Sequence, residues 1–237
     1  HNNIIIGNSL SDSDIGIDIY DNANYNKIEG NVIKDSTSYG IRIRNSTHIS
    51  FWNNTISSSG TNDIYLENNA ISNYVVNTTF STVSVDITSY LTIKSYLDLD
   101  VNDASGDNMS GIDIKVMENT TQKYATNYFG GSDPETDSSG TIDPFLIISK
   151  IYNSSSTPTQ IPTYVSARYH DWVETTSFDA SSTIQITVPD LRVQNTRTGT
   201  LTYHIQTALD DANSGDTIRA WAGTYYENLE IEEEITI

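Results

Sequence analysis

Short alternating strands, not helical stripes, open this chain. Gly16-Ile17-Asp18-Ile19, Gly40-Ile41-Arg42-Ile43 and Asp63-Ile64-Tyr65-Leu66 follow one another at spacings of 24 and then 23. Asn8, Asn31, Asn54 and Asn77 recur every 23 residues, and Ile5, Ile28, Phe51 and Tyr74 move with them, as do Leu10, Ile33 and Ile56. Asn, Ser, Asp and Gly separate these strands, and no repeat carries a helical period. A repeat of about 23 residues made only of strands and turns predicts one coil of a parallel β-helix. Coils then stack at about 4.8 Å, with like residues above one another. Ile17, Ile41 and Ile64 stack inward beside Ile19, Ile43 and Leu66, and Asp18, Arg42 and Tyr65 stack outward. The four asparagines form a ladder at a coil corner, since a side-chain amide both donates and accepts along such a stack.

Through these repeats, and through stretches such as GNVIKDSTSYGIRIRNSTHISFWNNTIS, residues 1–80 resemble the right-handed parallel β-helix proteins of the pectate-lyase-like type. Within that type they are most similar to the repeat-rich cell-surface proteins of archaea and bacteria. The resemblance implies fold and an extracellular setting rather than a particular chemistry.

From about Thr82 the 23-residue spacing fades. Val83, Val85 and Ile87, then Leu97, Leu99 and Val101, still alternate. Strands at 112–118, 145–152, 163–169 and 182–188 are separated by turn-rich stretches at 102–111 and 130–140. Such a series predicts an antiparallel β-sandwich over 82–190. The strand GIDIKVME followed by the turn TDSSG resembles Ig-like or carboxypeptidase-regulatory-like modules.

The last segment, 191–237, differs again. Ile205, Ala208, Leu209 and Ala212 share one apolar face, which predicts a helix over 203–213 stopped near Gly215. Gly215-Asp216-Thr217-Ile218 and Gly223-Thr224-Tyr225-Tyr226-Glu227-Asn228 follow. This order resembles the start of a β-helix in the same surface-protein family, which implies a helix that plugs the apolar end of a coil stack. The expected fold class is therefore all-β: right-handed parallel β-helix coils over 1–81, an Ig-like sandwich over 82–190, and a capping helix with a first coil over 191–237. The chain reads as opening inside a β-helix and closing on a cap. The expected partner is then the chain itself, head-to-tail, with Ile205, Ala208, Leu209 and Ala212 at the joint; the alternative is a segment of a tandem array.

Composition narrows the function. The 237 residues hold 31 acidic and 12 basic side chains, a net charge of −19, which argues against nucleic acid or an anionic membrane as partner. No apolar run reaches the 18–20 residues of a membrane span. Cysteine is absent, which removes disulfides, thiolate nucleophiles and cysteine metal sites.

Catalysis needs a placed acid, base or nucleophile. Asp18, Arg42 and Tyr65, beside Tyr20, Arg44 and Glu67, are the dense charged patch of the coils. Asp18–Arg42 and Arg44–Glu67 read as ion pairs between coils, and no second carboxylate stacks on Asp18 for hydrolysis. Asp98, Asp100, Asn102, Asp103 and Asp107 resemble a loose calcium loop, but Leu99 and Val101 make a strand of it and the glycine is misplaced. A solvated strand face and turn is the expectation there, and no cofactor is expected. Glu227, Glu230, Glu232, Glu233 and Glu234 read as a solvated acidic surface. His1, His48, His170 and His204 show no ligand spacing, and neither a Gly-x-Ser-x-Gly elbow nor a phosphate loop occurs. Of six Asn-x-Ser/Thr sequons, Asn45, Asn53, Asn108, Asn119 and Asn153 are candidate glycan sites. Asn77 is expected to stay bare, because a ladder amide cannot carry a sugar. The function expected is a non-enzymatic, extracellular cell-surface structure, a filament, stalk or layer. The alternatives are a carbohydrate-binding adhesin using Tyr20, Trp52 and Tyr65, or a polysaccharide-active enzyme using Asp18 and Arg42.

Overall fold

A computed structural model describes residues 2–154, 157–179, 183–189, 192–221 and 224–237. Two compact units emerge: His1–Leu97 with Phe145–Thr163 and Asp179–Ser182, and Asp98–Pro144 with Tyr164–Phe178 and Thr183–Ile237. The chain is nearly all-β, and the first unit is a β-solenoid of about 4 turns.

Each coil supplies short strands. The first holds β1 (Ile4–Ile6), β2 (Ser9–Ser11) and β3 (Ile15–Ile19). The second holds β4 (Lys27–Glu29), β5 (Val32–Lys34) and β6 (Tyr39–Arg44); the third holds β7 (Ser50–Trp52), β8 (Thr55–Ser57) and β9 (Asn62–Glu67). The fourth holds β10 (Asn73–Val76) and β11 (Val83–Val85), and β12 (Tyr90–Leu97) follows. Like strands pair in parallel into three sheets, β1-β4-β7-β10-β12, β2-β5-β8 and β3-β6-β9-β11. Ile17, Ile41 and Ile64 lie in register and buried, and Ile28, Ile33, Phe51, Ile56 and Leu66 fill the same core. The stacking continues past Thr82 although the spacing fades. Residues Asp63 and Thr82, and Asn68 and Asp86, are bonded neighbours only 19 and 18 apart, so the last coil is shorter.

The corners explain the composition. Left-handed residues recur in columns: Gly7, Gly30, Asn53 and Asn77 (φ 68, 62, 54 and 46), and Asp12, Asp35 and Ser58 (φ 57, 55 and 58). Short polar residues and glycine tolerate that conformation best, so the turn columns select Gly, Asn, Asp and Ser. Gly16 and Gly40 serve differently. A Cβ on Gly40 would sit 2.4 Å from Ile56 Cγ2 and 2.7 Å from the Asp63 carbonyl oxygen, so neighbouring coils approach there as closely as the backbone allows.

Beyond the fourth coil the sheet changes sense. In the chain, β13 (Leu99–Asp103), β14 (Asp113–Glu118) and β15 (Thr121–Ala125) precede β16 (Phe145–Asn153), which returns to pair antiparallel with β12, from Tyr90↔Asn153 to Leu97↔Phe145. The two-residue β17 (Thr159–Gln160) forms the outer edge of this sheet. A short edge strand limits further pairing on that side.

The second unit contains a four-stranded sheet β15-β14-β18-β19, antiparallel between β14 and β15, with β18 (Pro162–Tyr169) and β19 (Trp172–Asp179), and a pair formed by β13 and β20 (Ile184–Val188). That pair is parallel, where an antiparallel arrangement was expected throughout. Leu99, Val101, Ile112, Ile114, Val116, Val165, Ala167 and Ile186 are buried. Two turns share one design: Asp103 Oδ1 accepts from the Ser105 and Asp107 amides, and Asp137 Oδ1 from those of Ser139 and Thr141. The unit also carries a three-stranded sheet in the order β22-β21-β23, with β21 (Val193–Asn195), β22 (Leu201–Thr202) and β23 (Ile218–Ala220). Helix α1 (Ile205–Asp210) lies against it and is shorter than the 203–213 expected. Residues after Asp211 turn instead, because the Asp216 carboxylate takes the Asn213 amide.

Candidate functional site

The asparagine column is a hydrogen-bonded ladder. Asn31 Oδ1 accepts from both the amide and the side chain of Asn8, and Asn54 Oδ1 accepts in the same way from Asn31, at 2.9–3.0 Å. Asn31 and Asn54 are buried, and their amide groups also donate to the Ile5 and Ile28 carbonyls of the preceding coil. Asn77 does not join. The next rung is Thr78, whose Oγ1 accepts from the Asn54 amide, 24 residues away rather than 23. Asn77 instead stands exposed in the left-handed column of Gly7, Gly30 and Asn53. The reason given for a bare Asn77 therefore falls.

The same extra residue moves Tyr74. Phe51 pairs with Val75, so Val75 is the buried member of the Ile28 column and Tyr74 turns outward beside Ser50. Further rungs that the repeat count passed over tie other corners: Ser46 Oγ accepts from the Ala23 amide, and Asn73 Oδ1 from that of Ile49.

On the outward face of β3, β6 and β9 the charges are paired. Arg42 donates to Asp18 from Nε at 3.2 Å and Nη2 at 2.6 Å; Arg44 Nη2 donates to the same carboxylate at 3.0 Å, and its Nε lies 4.0 Å from Glu67 Oε1. Partial burial would raise the Asp18 carboxyl, but the bonds and charges of Arg42 and Arg44 outweigh it and hold the group below its ordinary value. Arg42 is raised above its ordinary value chiefly by the bonds it donates to Asp18. Both groups therefore stay ionised around neutral pH, far from the titration range that proton transfer uses.

The aromatic candidates also have neighbours. Tyr65 stacks on Tyr39 at 4.8 Å and donates to Glu67, and Arg44 lies 5.0 Å from the Tyr20 ring centre. Trp52 meets the Tyr74 ring at 6.0 Å, nearly perpendicular, with Lys27 5.6 Å from its centre. A cleft of about 660 Å³ opens next to Tyr74, on the outward face of β10, β12 and β16, and Tyr74, Tyr90, Thr92 and Lys94 line it. The sequence marks Asn153 there only as a sequon and Tyr74 only as a member of the Ile28 column, because β16 joins from far along the chain.

The histidines lie apart. His48 stacks on Tyr25 at 4.5 Å, His170 sits at a left-handed turn against Tyr169, and His204 Nδ1 is 3.6 Å from Glu227; His1 lies outside the described residues. Of the loose calcium loop, Asp103 is engaged in its own turn and Asp98 accepts from Thr183. Among the described residues no three His, Cys, Asp or Glu side chains group as a metal site would need. The sequon residues Asn45, Asn53, Asn108, Asn119 and Asn153 are all exposed.

The residues assigned to a subunit joint are already covered. Ile205, Ala208 and Leu209 are buried with Val193 and Ile218, and Ala212, Ala220, Tyr225 and Ile235 pack around them. The Glu227 carboxylate accepts from the Ile205 and Gln206 amides and so caps the helix start. Gly223 of the same motif lies outside the described residues. Asp216, almost fully buried, binds Arg197, Asn195 and the Asn213 amide, and the Arg197 bonds above all push its carboxyl well below the usual range. Thr217 and Thr236 form an isolated parallel bridge.

The chain matches no family model, no curated protein and no solved structure. No helix among the described residues is long and apolar enough to cross a membrane.

Proposed function

We propose that this chain is a structural module of an extracellular, cell-surface assembly, extended by stacking coil on coil, and that it is not an enzyme. The observation that carries this reading is the ladder Asn8–Asn31–Asn54–Thr78, buried at Asn31 and Asn54, in which each rung is hydrogen-bonded to the next coil's. The charged face supports it, since Asp18, Arg42, Arg44 and Glu67 pair with one another. Solenoid stacking is quasi-one-dimensional, so each coil edge is a template for another coil. The first coil offers such an edge: β1, β2 and β3 each have one hydrogen-bonded neighbour. Beside it lies an opening of about 320 Å³ lined by Ile5, Ile19 and Ala23. A further coil, from a second copy head-to-tail or from a tandem repeat, is the fitting partner. The cap residues play no part in this joint, because their own module buries them.

Right-handed coiling of the pectate-lyase type and an Ig-like arrangement of β13–β15 and β18–β20 belong to the same proposal. The acidic surface, carrying glycans at exposed sequons such as Asn45 and Asn119, keeps neighbouring fibres apart.

Sedimentation velocity and electron microscopy of the whole chain test the stacking. Elongated oligomers that lengthen with concentration are expected, and Ile5→Asp should dissolve them. Monomers at every concentration would overturn head-to-tail stacking between copies.

A further inference from the structure

The second unit leaves one long sheet edge open. In the order β15-β14-β18-β19, the last strand has a single hydrogen-bonded neighbour, and at 8 residues it is the longest strand at a sheet edge among the described residues. Its place is well fixed on the inner side. The two-residue turn His170-Asp171 joins it to β18, and the Thr175 hydroxyl lies 2.8 Å from that of Ser166. The Asp171 carboxylate accepts from the Tyr203 and His204 amides, which ties down the turn. On the outer side an edge strand presents backbone N–H and C=O groups to any strand that can pair with them.

Proteins blunt such edges with lysine, with proline or by keeping them short. The opposite edge of this sheet, β15, has 5 residues and carries Lys123, and β17 and β22 have 2 residues each. The stretch Trp172-Val173-Glu174-Thr175-Thr176-Ser177-Phe178 has neither lysine nor proline, and Glu174 is its one charged residue. Thr176 Oγ1 donates to that carboxylate at 3.2 Å, within the same strand. Val173 is 50% exposed, and Thr175 and Ser177 on the same face are exposed with it. Aromatic and β-branched residues in this density favour extended pairing.

We propose that β19 pairs antiparallel with β19 of a second copy, about a two-fold axis at Thr175. Charge selects the place. Copies with a net charge of −19 repel over most of their surface and meet most easily where charge is sparse. A basic peptide would find one carboxylate here, already bonded to Thr176. Symmetric pairing sets residues of one face opposite each other. With Thr175 on the axis, Trp172 faces Phe178, Val173 faces Ser177 and Glu174 faces Thr176, each twice, and no like charges meet. An axis at Glu174 would oppose two carboxylates, and one at Thr176 would set Glu174 against Phe178. Aromatic pairs and threonine pairs are among the favourable cross-strand contacts. Two four-stranded sheets thus become one. The contact uses none of the coil edge, and where coils also stack head-to-tail it joins two such rows.

The whole chain carrying Ile5→Asp, in which coil stacking is blocked, isolates this contact. Sedimentation velocity should show a monomer–dimer equilibrium. Adding Thr175→Lys, which places two like charges on the axis, should raise the dimer dissociation constant tenfold or more, and Ser105→Lys in an exposed turn should leave it unchanged. A second test needs no Ile5 variant. The chain has no cysteine, and residues opposite one another in a hydrogen-bonded antiparallel pair have Cα atoms about 5.5 Å apart, within disulfide reach. Mild oxidation should therefore cross-link the Thr175→Cys chain into a covalent dimer and leave the Ser105→Cys chain monomeric under denaturing conditions. Circular dichroism reports that each variant is folded. A monomeric Ile5→Asp chain beside elongated oligomers of the unaltered one would overturn the β19 contact and leave coil stacking standing; dimers in both, with nothing longer, would do the reverse. A dimer indifferent to Thr175→Lys, or equal cross-linking of the two cysteine variants, would also overturn it.

Discussion

At the scale of single residues, the polar side chains of this protein act chiefly as fasteners between coils. Asn31 is the clearest case. Its side chain bonds to groups of both adjacent coils and to the Glu29 carbonyl, and it is fully buried. Asn31→Ala leaves several of those groups without partners, at about 1–3 kcal/mol for each that water cannot reach. Urea unfolding of the variant should show a loss of at least ~2 kcal/mol. Asn77→Ala, at an exposed corner one position out of the ladder, should stay within about 1 kcal/mol, the cost of placing alanine at a positive φ. Asp216 makes a different prediction. Its bonds with Arg197, the Asn213 amide and Asn195 hold its carboxyl far below the unfolded value near 3.9. A lowered folded value means that the stabilisation is complete above the unfolded value and fades as pH falls below it. Thermal midpoints measured from pH 7 down to pH 2 should therefore fall less steeply below pH 4 in Asp216→Asn, from a lower starting point.

At the scale of elements, the coil is a set of columns, and each column states its own steric rule. The Gly16–Gly40 column is one of close approach, with a neighbouring side chain and carbonyl where a Cβ would go. The Gly7–Gly30 column is one of backbone sign, open to solvent with nothing within 4 Å. Gly40→Ala should overpack the core and destabilise by about 1–3 kcal/mol. Gly30→Asn should cost well under 1 kcal/mol, since Asn53 and Asn77 already hold that corner in the coils below. Comparing the two variants by chemical denaturation separates the rules. Periodicity in the sequence marked Gly16 and Gly40 but not Gly7 and Gly30, and neither steric rule is written in the residue type.

At the scale of the whole molecule, connectivity and contact diverge. The solenoid sheet is completed by β16, which follows β12 only after 98–144 have been laid down in the second unit. A fragment of residues 1–97 keeps every parallel coil but bares the edge of β12, and the cleft beside Lys94 loses the wall formed by Ile148 and Ile151. Its thermal midpoint should lie clearly below that of the whole chain's first unit, and amide exchange in β12 should speed up most. Equal protection of β12 in fragment and whole chain would show that β16 adds nothing to the sheet.

The coils were legible from the residues alone because stacking is a local rule: an inward isoleucine must lie over another one repeat later. That rule placed Ile17, Ile41 and Ile64, the Asp18–Arg42 pair and the upper three rungs of the ladder. It failed where the repeat length changed. One added residue before β10 moved Asn77 out of the ladder and turned Tyr74 from core to surface, and a fixed count could not see it. Tertiary structure alone decided the rest. It carried the stacking into a coil of a different length, and it buried the helix face at Ile205, Ala208 and Leu209 against its own strands. It also brought β16 from far along the chain to wall a cleft around Lys94. Pairing between distant strands depends on which edges are left open once the local coils have formed, and no local pattern of residues records that.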